Sequence, residues 1–223
     1  MASYVRRYLR VYLLDDHDLV RKGLADLLMP ATDIDVVGSS SSARDAVQAI
    51  LDLEVDVMVL DLRLQDGTGV EVCRAVRSVD PSISGLLLTS SDDDEALVAA
   101  MLAGAAGYVI KLARNADIIS AIRRVGAGKS LIDPAAGQRV TRELLTSQLR
   151  PPMVDAEREI LSHVLGGLTD TEVAEQMGLS LESAAPEIAG LVARILRPGI
   201  AEGSTPPPIP QGKHRRPDSE QDT

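Results

Sequence analysis

Five polar side chains in the first half of the chain each stand at the end of a short apolar run. Val11–Leu14 leads into Asp15 and Asp16, Val57–Leu60 into Asp61, Leu86–Leu88 into Thr89, and Tyr108–Ile110 into Lys111. If the runs are strands of one parallel sheet, all five groups emerge at its carboxyl edge, where open α/β sheets hold their ligands. Three carboxylates converging there repel one another unless positive charge sits among them. A divalent cation and Lys111 supply it, and Mg²⁺ takes oxygen ligands while keeping several waters, so a few carboxylates suffice. A carboxylate can act as nucleophile and form an aspartyl phosphate. A metal then neutralises the phosphoryl oxygens, and a hydroxyl and an ammonium bind the same oxygens. One aspartate after a strand merely ends it. The shared register across four strands points instead to chemistry at Asp61.

The elements that must position these groups are legible as an alternation. Strand candidates are Arg10–Asp15, Asp35–Gly38, Val57–Asp61, Gly85–Thr89 and Gly107–Lys111, short and apolar as buried parallel strands are. Between them lie stretches read as amphipathic helices: Leu19–Leu28, Ala43–Leu53, Gly69–Val79, Glu95–Ala103 and Asp117–Ala127. Asp18, Ser42, Thr68, Asp93 and Asn115 are the expected N-caps. Five such units in series predict an α/β fold, a doubly wound five-stranded parallel sheet with helices on both faces. From Gly126 the pattern loosens into a polar, partly helical linker. An all-helical pattern follows: Ala156–Leu165, Asp170–Met177 with Gly178 as its stop, and Leu181–Arg197 capped by Ser180. Two helices joined by a short turn containing Gly make a helix-turn-helix candidate. The predicted layout is 8–128, a linker at 129–152, the helical unit at 153–200, and a Pro- and charge-rich disordered tail at 201–223.

Composition narrows the function classes. The 223 residues are 45% hydrophobic, enough for a core, and carry a formal net charge of −10, which repels nucleic acid unless basic groups cluster. No apolar stretch approaches the roughly 18 residues of a membrane span, and no secretory signal is seen, so the cytoplasm is the expected location. The single cysteine, Cys73, forms no internal disulfide and falls on a helix face with Val72 and Val76, which reads as packing. Phe and Trp are absent, and Tyr108 is the only aromatic after the first strand candidate. His17 beside the acidic pair reads as a tuning group or a solvated loop residue, and His163 has no metal-ligand partner in view.

Leu14-Asp15-Asp16-His17, Val59 to Gly69 (VLDLRLQDGTG), Leu88-Thr89-Ser90 and Gly107-Tyr108-Val109-Ile110-Lys111 resemble the receiver domain of two-component response regulators, of flavodoxin-like fold, over about residues 8–128. The resemblance implies Asp61 as phosphoacceptor. Mg²⁺ would be held by Asp15, Asp16, the Asp61 carboxylate and the Arg63 backbone carbonyl. Thr89 would bind a phosphoryl oxygen, Lys111 would pair with the phosphate, and Tyr108 would be the switch aromatic. A sensor histidine kinase is the implied phosphodonor. The protein would then be a phosphoacceptor and not a turnover enzyme, with slow self-phosphorylation and dephosphorylation only. A phosphatase-like hydrolase fits less well, because no second catalytic acid stands in a suitable place. Two departures bear on the loops: Gln65 stands where the family often has proline, which is expected to loosen the loop after Asp61, and Leu112 stands where the family often has a cis proline after the lysine, a bond that would cost a non-proline residue about 3 kcal/mol.

Glu157 to Leu161, Gly167 to Ala174 and Met177 to Ser180 resemble the helix-turn-helix of the NarL/LuxR class over about residues 153–197. These positions are mainly core and turn. The reading helix departs from the family: Ala185 replaces a usual Lys, Glu187 an imidazole or phenol, and Gly190 stands near a usual Arg. Pro186 is tolerated only in a first turn, which a helix start near Ser183 would barely grant. Residues 153–197 hold eight acids against three arginines, a net charge of −5. Lys and Arg contacts to phosphate supply most nonspecific affinity for DNA, so the residues resemblance places at the DNA, Ser183, Ala185, Glu187 and Arg194, make a poor reading head. The family's last helix, used for dimer contacts, has no counterpart before Pro198, and Lys213–Arg216 offers a tethered phosphate contact or a solvated tail. Two outputs follow. In the first, Asp61 phosphorylation controls transcription through DNA binding, with homo- or heterodimerisation. In the second, the same switch drives a protein–protein interaction, and the degenerate helix-turn-helix does not bind DNA by itself.

Overall fold

The computed structural model describes residues 8–90, 94–146 and 153–196. Its framework is five parallel strands: β1 (Leu9–Leu14), β2 (Ile34–Ser40), β3 (Val57–Asp61), β6 (Ser84–Thr89) and β7 (Gly107–Ile110). They lie in the spatial order β2-β1-β3-β6-β7. A two-residue antiparallel ribbon, β4 (Arg63–Leu64) with β5 (Gly67–Thr68), follows β3 directly. The helices are α1 (Asp18–Leu28), α2 (Ala43–Asp52), α3 (Gly69–Val79), α4 (Asp94–Ala103) and α5 (Asn115–Gly126), then α6 (Pro134–Thr146), α7 (Asp155–Leu165), α8 (Asp170–Met177) and α9 (Leu181–Leu196).

Strand residues alternate between two cores because successive side chains point to opposite faces. Val11, Leu13, Val57, Val59, Leu86 and Leu88 meet Leu24 and Leu28 of α1 and Ile118, Ile122 and Val125 of α5. Tyr12, Leu14, Met58, Leu60 and Leu87 face α2, α3 and α4. This second core continues without a break into Val140, Leu161, Val164, Ile188, Leu191 and Ile195 of the later helices. With no Phe or Trp in the chain, it is filled by aliphatic side chains and Tyr12.

That continuity corrects the reading of α4 as amphipathic. Ala96, Leu97, Ala99, Ala100, Met101, Leu102 and Ala103 are all buried. A helix apolar all round is one covered on every side: α4 lies against β6 and β7 on one side and against α6, α7 and α9 on the other.

Helix starts follow local chemistry in part. Ser42 accepts a hydrogen bond from the Asp45 amide, and Thr68 and Glu71 form a reciprocal capping box, as expected. Asp18 and Asn115 are instead the first helical residues of α1 and α5, with His17 and Arg114 at the cap positions and no side-chain cap bond at either. The Asp93 position lies outside the described residues, as do Arg197, Lys213–Arg216 and the tail. The linker contributes α6, and Arg139 of that helix pairs with Asp94 of α4 at 2.7 Å. Gly178 takes φ = 67°, the left-handed conformation that ends α8 and turns the chain into α9. Because α9 begins at Leu181, Pro186 sits in its second turn and not its first. The proline lacks an amide, so the exposed Glu182 carbonyl loses its helical donor there. Among the described residues, no helix is long and apolar enough to cross a membrane.

Candidate functional site

Register brings the five predicted side chains together. Leu14 pairs with Leu60, Asp61 with Leu88, and Thr89 with Ile110. Asp15, Asp61, Thr89 and Lys111 therefore step along one carboxyl edge. The peptide amide of Lys111 donates to the Thr89 carbonyl at 2.7 Å, which fixes the lysine beside β6. Gly69 lets α3 start close beneath Asp61, since a Cβ there would lie 2.4 Å from the Asp61 carbonyl oxygen.

Lys111 Nζ stands 2.7 Å from Asp61 Oδ2 and 2.7 Å from Asp15 Oδ2. Asp61 Oδ1 also accepts from the Arg63 amide at 3.4 Å. Asp15 is fully buried; Asp61 and Thr89 are 5% exposed. Asp15 accepts from the His17 amide at 2.9 Å, and His17 Nδ1 lies 2.7 Å from Asp16 Oδ1. Burial raises the pKa of Asp61 and the charge of Asp15 adds to this, against the opposing hydrogen bond and charge of Lys111. For Lys111, burial works against the charged form, but Asp15 and Asp61 outweigh it and its pKa rises. Burial leads for Asp61, but the cluster also holds more negative charge than one ammonium balances, which raises Lys111 and reinforces the rise of Asp61.

That deficit is the test of whether these residues fit a divalent cation. One ligand atom from each of Asp15, Asp16, His17 and Asp61 falls within 4.8 Å of the others. Asp15 Oδ2 and Asp16 Oδ1 are buried with no aligned hydrogen-bond donor, although Lys111 Nζ and His17 Nδ1 respectively lie 2.7 Å away. Buried carboxylate oxygens in this state suit a hard cation. The donor set fits Mg²⁺.

The cluster opens into a cavity of about 260 Å³ lined by Asp61, Arg63, Thr89, Glu95 and Lys111, among others. The loop after Asp61, expected to be loose with Gln65 in place of proline, is held by other means. It forms the β4–β5 ribbon, and Asp66 accepts from the Ser42 hydroxyl at 2.9 Å and from the Ala43 amide at 3.0 Å. Those bonds, the Ala43 amide first, hold the Asp66 pKa low. Among the described residues no peptide bond is cis, so the chain passes from Lys111 to Leu112 in the ordinary trans form. Tyr108 is half-buried beside Leu97, Asp117, Ile132 and Ala136, where the linker crosses β7. Cys73 is fully buried, and burial pushes its thiol up to about 12, consistent with packing.

The predicted DNA-reading residues are gathered on α9, away from the acidic cluster. Ser183 and Glu187 are exposed and Ala185 is half-buried. Arg194 is tied to Glu157 of α7 at 2.7 Å. Two functional residues had no signal in the sequence. Arg74 of α3, 6% exposed, donates to Asp170 Oδ1 of α8 at 2.7 Å and to the Leu102 and Leu168 carbonyls. The Asp170 amide donates to the Ser78 hydroxyl at 3.0 Å, and the Thr171 hydroxyl to the Ser78 carbonyl at 3.0 Å. The helical unit is thereby fastened to α3. Glu95, in the first turn of α4, pairs with Arg63 at 2.9 Å at the mouth of the cavity.

Comparison with known proteins agrees with this geometry. The family model described as the response regulator receiver domain matches residues 11–123. The chain is similar to the DNA-binding transcriptional activator DevR/DosR of Mycobacterium tuberculosis, 38% identical over 190 residues, covering 83% of this chain and 88% of that protein. A LuxR-family two-component response regulator from Aurantimonas sp. SI85-9A1 has a similar structure, with TM-score 0.54 and 30% identity over 62% of this chain and 99% of that one. The response regulator ChrA of a heme-sensing two-component system is similar over 84% of this chain and 90% of its own, with TM-score 0.50 and 26% identity. The chain belongs to the two-component response regulators of the NarL/LuxR class.

Proposed function

We propose that Asp61 accepts a phosphoryl group and that its phosphorylation state governs transcription through the helix-turn-helix of α8 and α9. The observation that carries this is Lys111 Nζ, 2.7 Å from both Asp15 and Asp61 at the carboxyl edge of the sheet. An Asp61 oxygen attacks the phosphorus of a histidine kinase's phosphoimidazole, or of a small acyl phosphate. A P–O bond forms, the P–N or P–O bond to the donor breaks, and the imidazole or carboxylate leaves. Asp15, Asp16, the Asp61 carboxylate and the Arg63 carbonyl would hold Mg²⁺, whose charge offsets that of the phosphoryl oxygens. Lys111 and the Thr89 hydroxyl hold two of those oxygens. Drawing Thr89 toward the phosphoryl group leaves room for Tyr108 to turn inward, and the linker packed against Tyr108 carries the change onward. The site transfers a phosphoryl group to itself and releases it slowly, as a regulator and not a turnover enzyme. We place the protein in the cytoplasm with a sensor histidine kinase as partner, and divide it into units at 8–128 and 153–200 joined by the linker.

The test is phosphoryl transfer from a small acyl phosphate, read by intact mass with and without Mg²⁺. The expected result is one added phosphoryl group that needs Mg²⁺ and is lost in Asp61→Asn and in the Asp15→Ala/Asp16→Ala pair. An adduct that persists in Asp61→Asn overturns the assignment.

A second output keeps one observation in its favour. The outer face of α9 presents Ser183, Pro186, Glu187 and Gly190, and its arginine at 194 is engaged by Glu157. A face that, among the described residues, holds no unengaged cation is suited to a protein partner, including a DNA-competent relative in a heterodimer, more than to phosphates.

A further inference from the structure

The phosphoacceptor cavity shares a wall with a second, apolar cavity of about 360 Å³ that reaches α9. Leu62, Arg63 and Glu95 line both; Thr68, Glu71, Val192, Ala193 and Leu196 complete the second. The polar part of that wall is the Arg63–Glu95 pair, with the Arg63 side chain 75% exposed and the Glu95 side chain 46% exposed. Such a pair is held weakly. Lys111, the other cation of the cavity, is already shared between Asp15 and Asp61. A phosphoryl group on Asp61 replaces one carboxylate charge with close to two and adds three acceptor oxygens. A guanidinium binds phosphate oxygens through charge-assisted, bidentate bonds stronger than an exposed carboxylate pair.

We propose that Arg63 is a phosphoryl-responsive positioning residue: on phosphorylation of Asp61 its guanidinium leaves Glu95 for the phosphoryl oxygens, and the freed Glu95 loosens the seat of α9. The second half follows from charge. Without Arg63, the cavity that receives Val192 and Leu196 from the last turn of α9 is lined by Glu95 and by Glu71, whose carboxylate accepts from the Thr68 amide, and the carbonyl end of α9 carries partial negative charge. The like charges disfavour the packing of Val192 and Leu196 in the groove. The proposal rests on Asp61 as phosphoacceptor and adds the route by which its charge reaches α9.

The experiment is titration of the full chain with beryllofluoride at fixed Mg²⁺, by calorimetry, for the wild type, Arg63→Ala, Arg63→Lys, Glu95→Gln and the Arg63→Ala/Glu95→Gln pair, with amide hydrogen exchange of α9 read on the same samples. Glu95→Gln is expected to tighten binding and Arg63→Ala to weaken it, each by about threefold or more. The double variant should bind like Arg63→Ala, and Arg63→Lys should recover part of the loss. Beryllofluoride should speed α9 exchange in the wild type and not in Arg63→Ala. Equal affinities in all variants, or losses in the same direction for Arg63→Ala and Glu95→Gln, overturn the exchange while leaving Asp61 as phosphoacceptor. A wild type that does not bind beryllofluoride, or an Asp61→Asn protein that does, overturns both readings.

Discussion

Asp61 binds its proton more tightly in the fold than in an open chain, because burial and Asp15 disfavour its charge. Its contribution to stability is therefore present below the ordinary carboxylate pKa and is lost as pH rises through its raised folded value. At neutral pH the ionised group works against the metal-free fold. Asp61→Asn is expected to raise the Tm of metal-free protein by about 2–4 °C, the shift that ~1 kcal/mol gives in a chain of this size. Mg²⁺ is expected to raise Tm in the wild type, and less so as pH falls toward the Asp61 pKa. Calorimetric scans with and without Mg²⁺ check both, and a lower Tm for metal-free Asp61→Asn would contradict the charge deficit. At this scale the sequence was informative where function puts a side chain at a strand end. Asp15, Asp61, Thr89 and Lys111 could be aligned because each apolar run stops at them. Arg74 and Glu95 could not, since their partners Asp170 and Arg63 lie 96 and 32 residues away in the chain, and long-range pairing leaves no local pattern.

Among the elements, α3 and α4 do most to join the two parts of the molecule. Arg74 is buried against Asp170, whose side chain is 14% exposed. Removing one partner of a buried pair strands the other charge, so Arg74→Met is expected to cost about 3–5 kcal/mol in urea unfolding. Replacing both with apolar residues, Arg74→Met/Asp170→Leu, should recover most of that loss. A double variant as unstable as the single one would contradict the pair as the fastener. The α4 helix carries the second lesson. Glu95–Ala103 was read with one apolar face, yet Met101 also packs toward Gly137 of α6 and Leu165 of α7. The run of Ala96 to Ala103 was the available signal, since only Asp94 and Glu95 in the helix are charged. A fragment ending at residue 128 leaves that outer face open, and sedimentation should find it self-associating where the full chain is not; a monodisperse monomeric fragment would contradict the covering role. The caps at Asp18 and Asn115 differ from the structure by one residue, within the ordinary uncertainty of helix ends. Pro186 differs in another way: the helix begins at Leu181, as its pattern predicted, so the proline stands in the second turn, where the exposed Glu182 residue leaves its carbonyl open to water.

For the whole molecule, one core running from the sheet through α4 into α9 means that the acidic site and the reading helix share walls and not merely a tether. The fold class and the acidic cluster were legible from periodicity and strand ends. The way the helical unit sits on α3 and α4 was not, because it depends on which surfaces meet after each part has folded. The central claim is that loading Asp61 turns this assembly toward DNA. The measurement that tests it most directly is binding of the full chain to a pool of random duplex DNA across a salt series, with and without Mg²⁺ and beryllofluoride. The loaded protein is expected to bind saturably and to enrich particular sequences, with binding that weakens as salt rises along a slope set by few phosphate contacts, and the unloaded one is expected to bind little. A folded, beryllofluoride-loaded protein that leaves the pool untouched at low salt would contradict it and move the output to a protein partner.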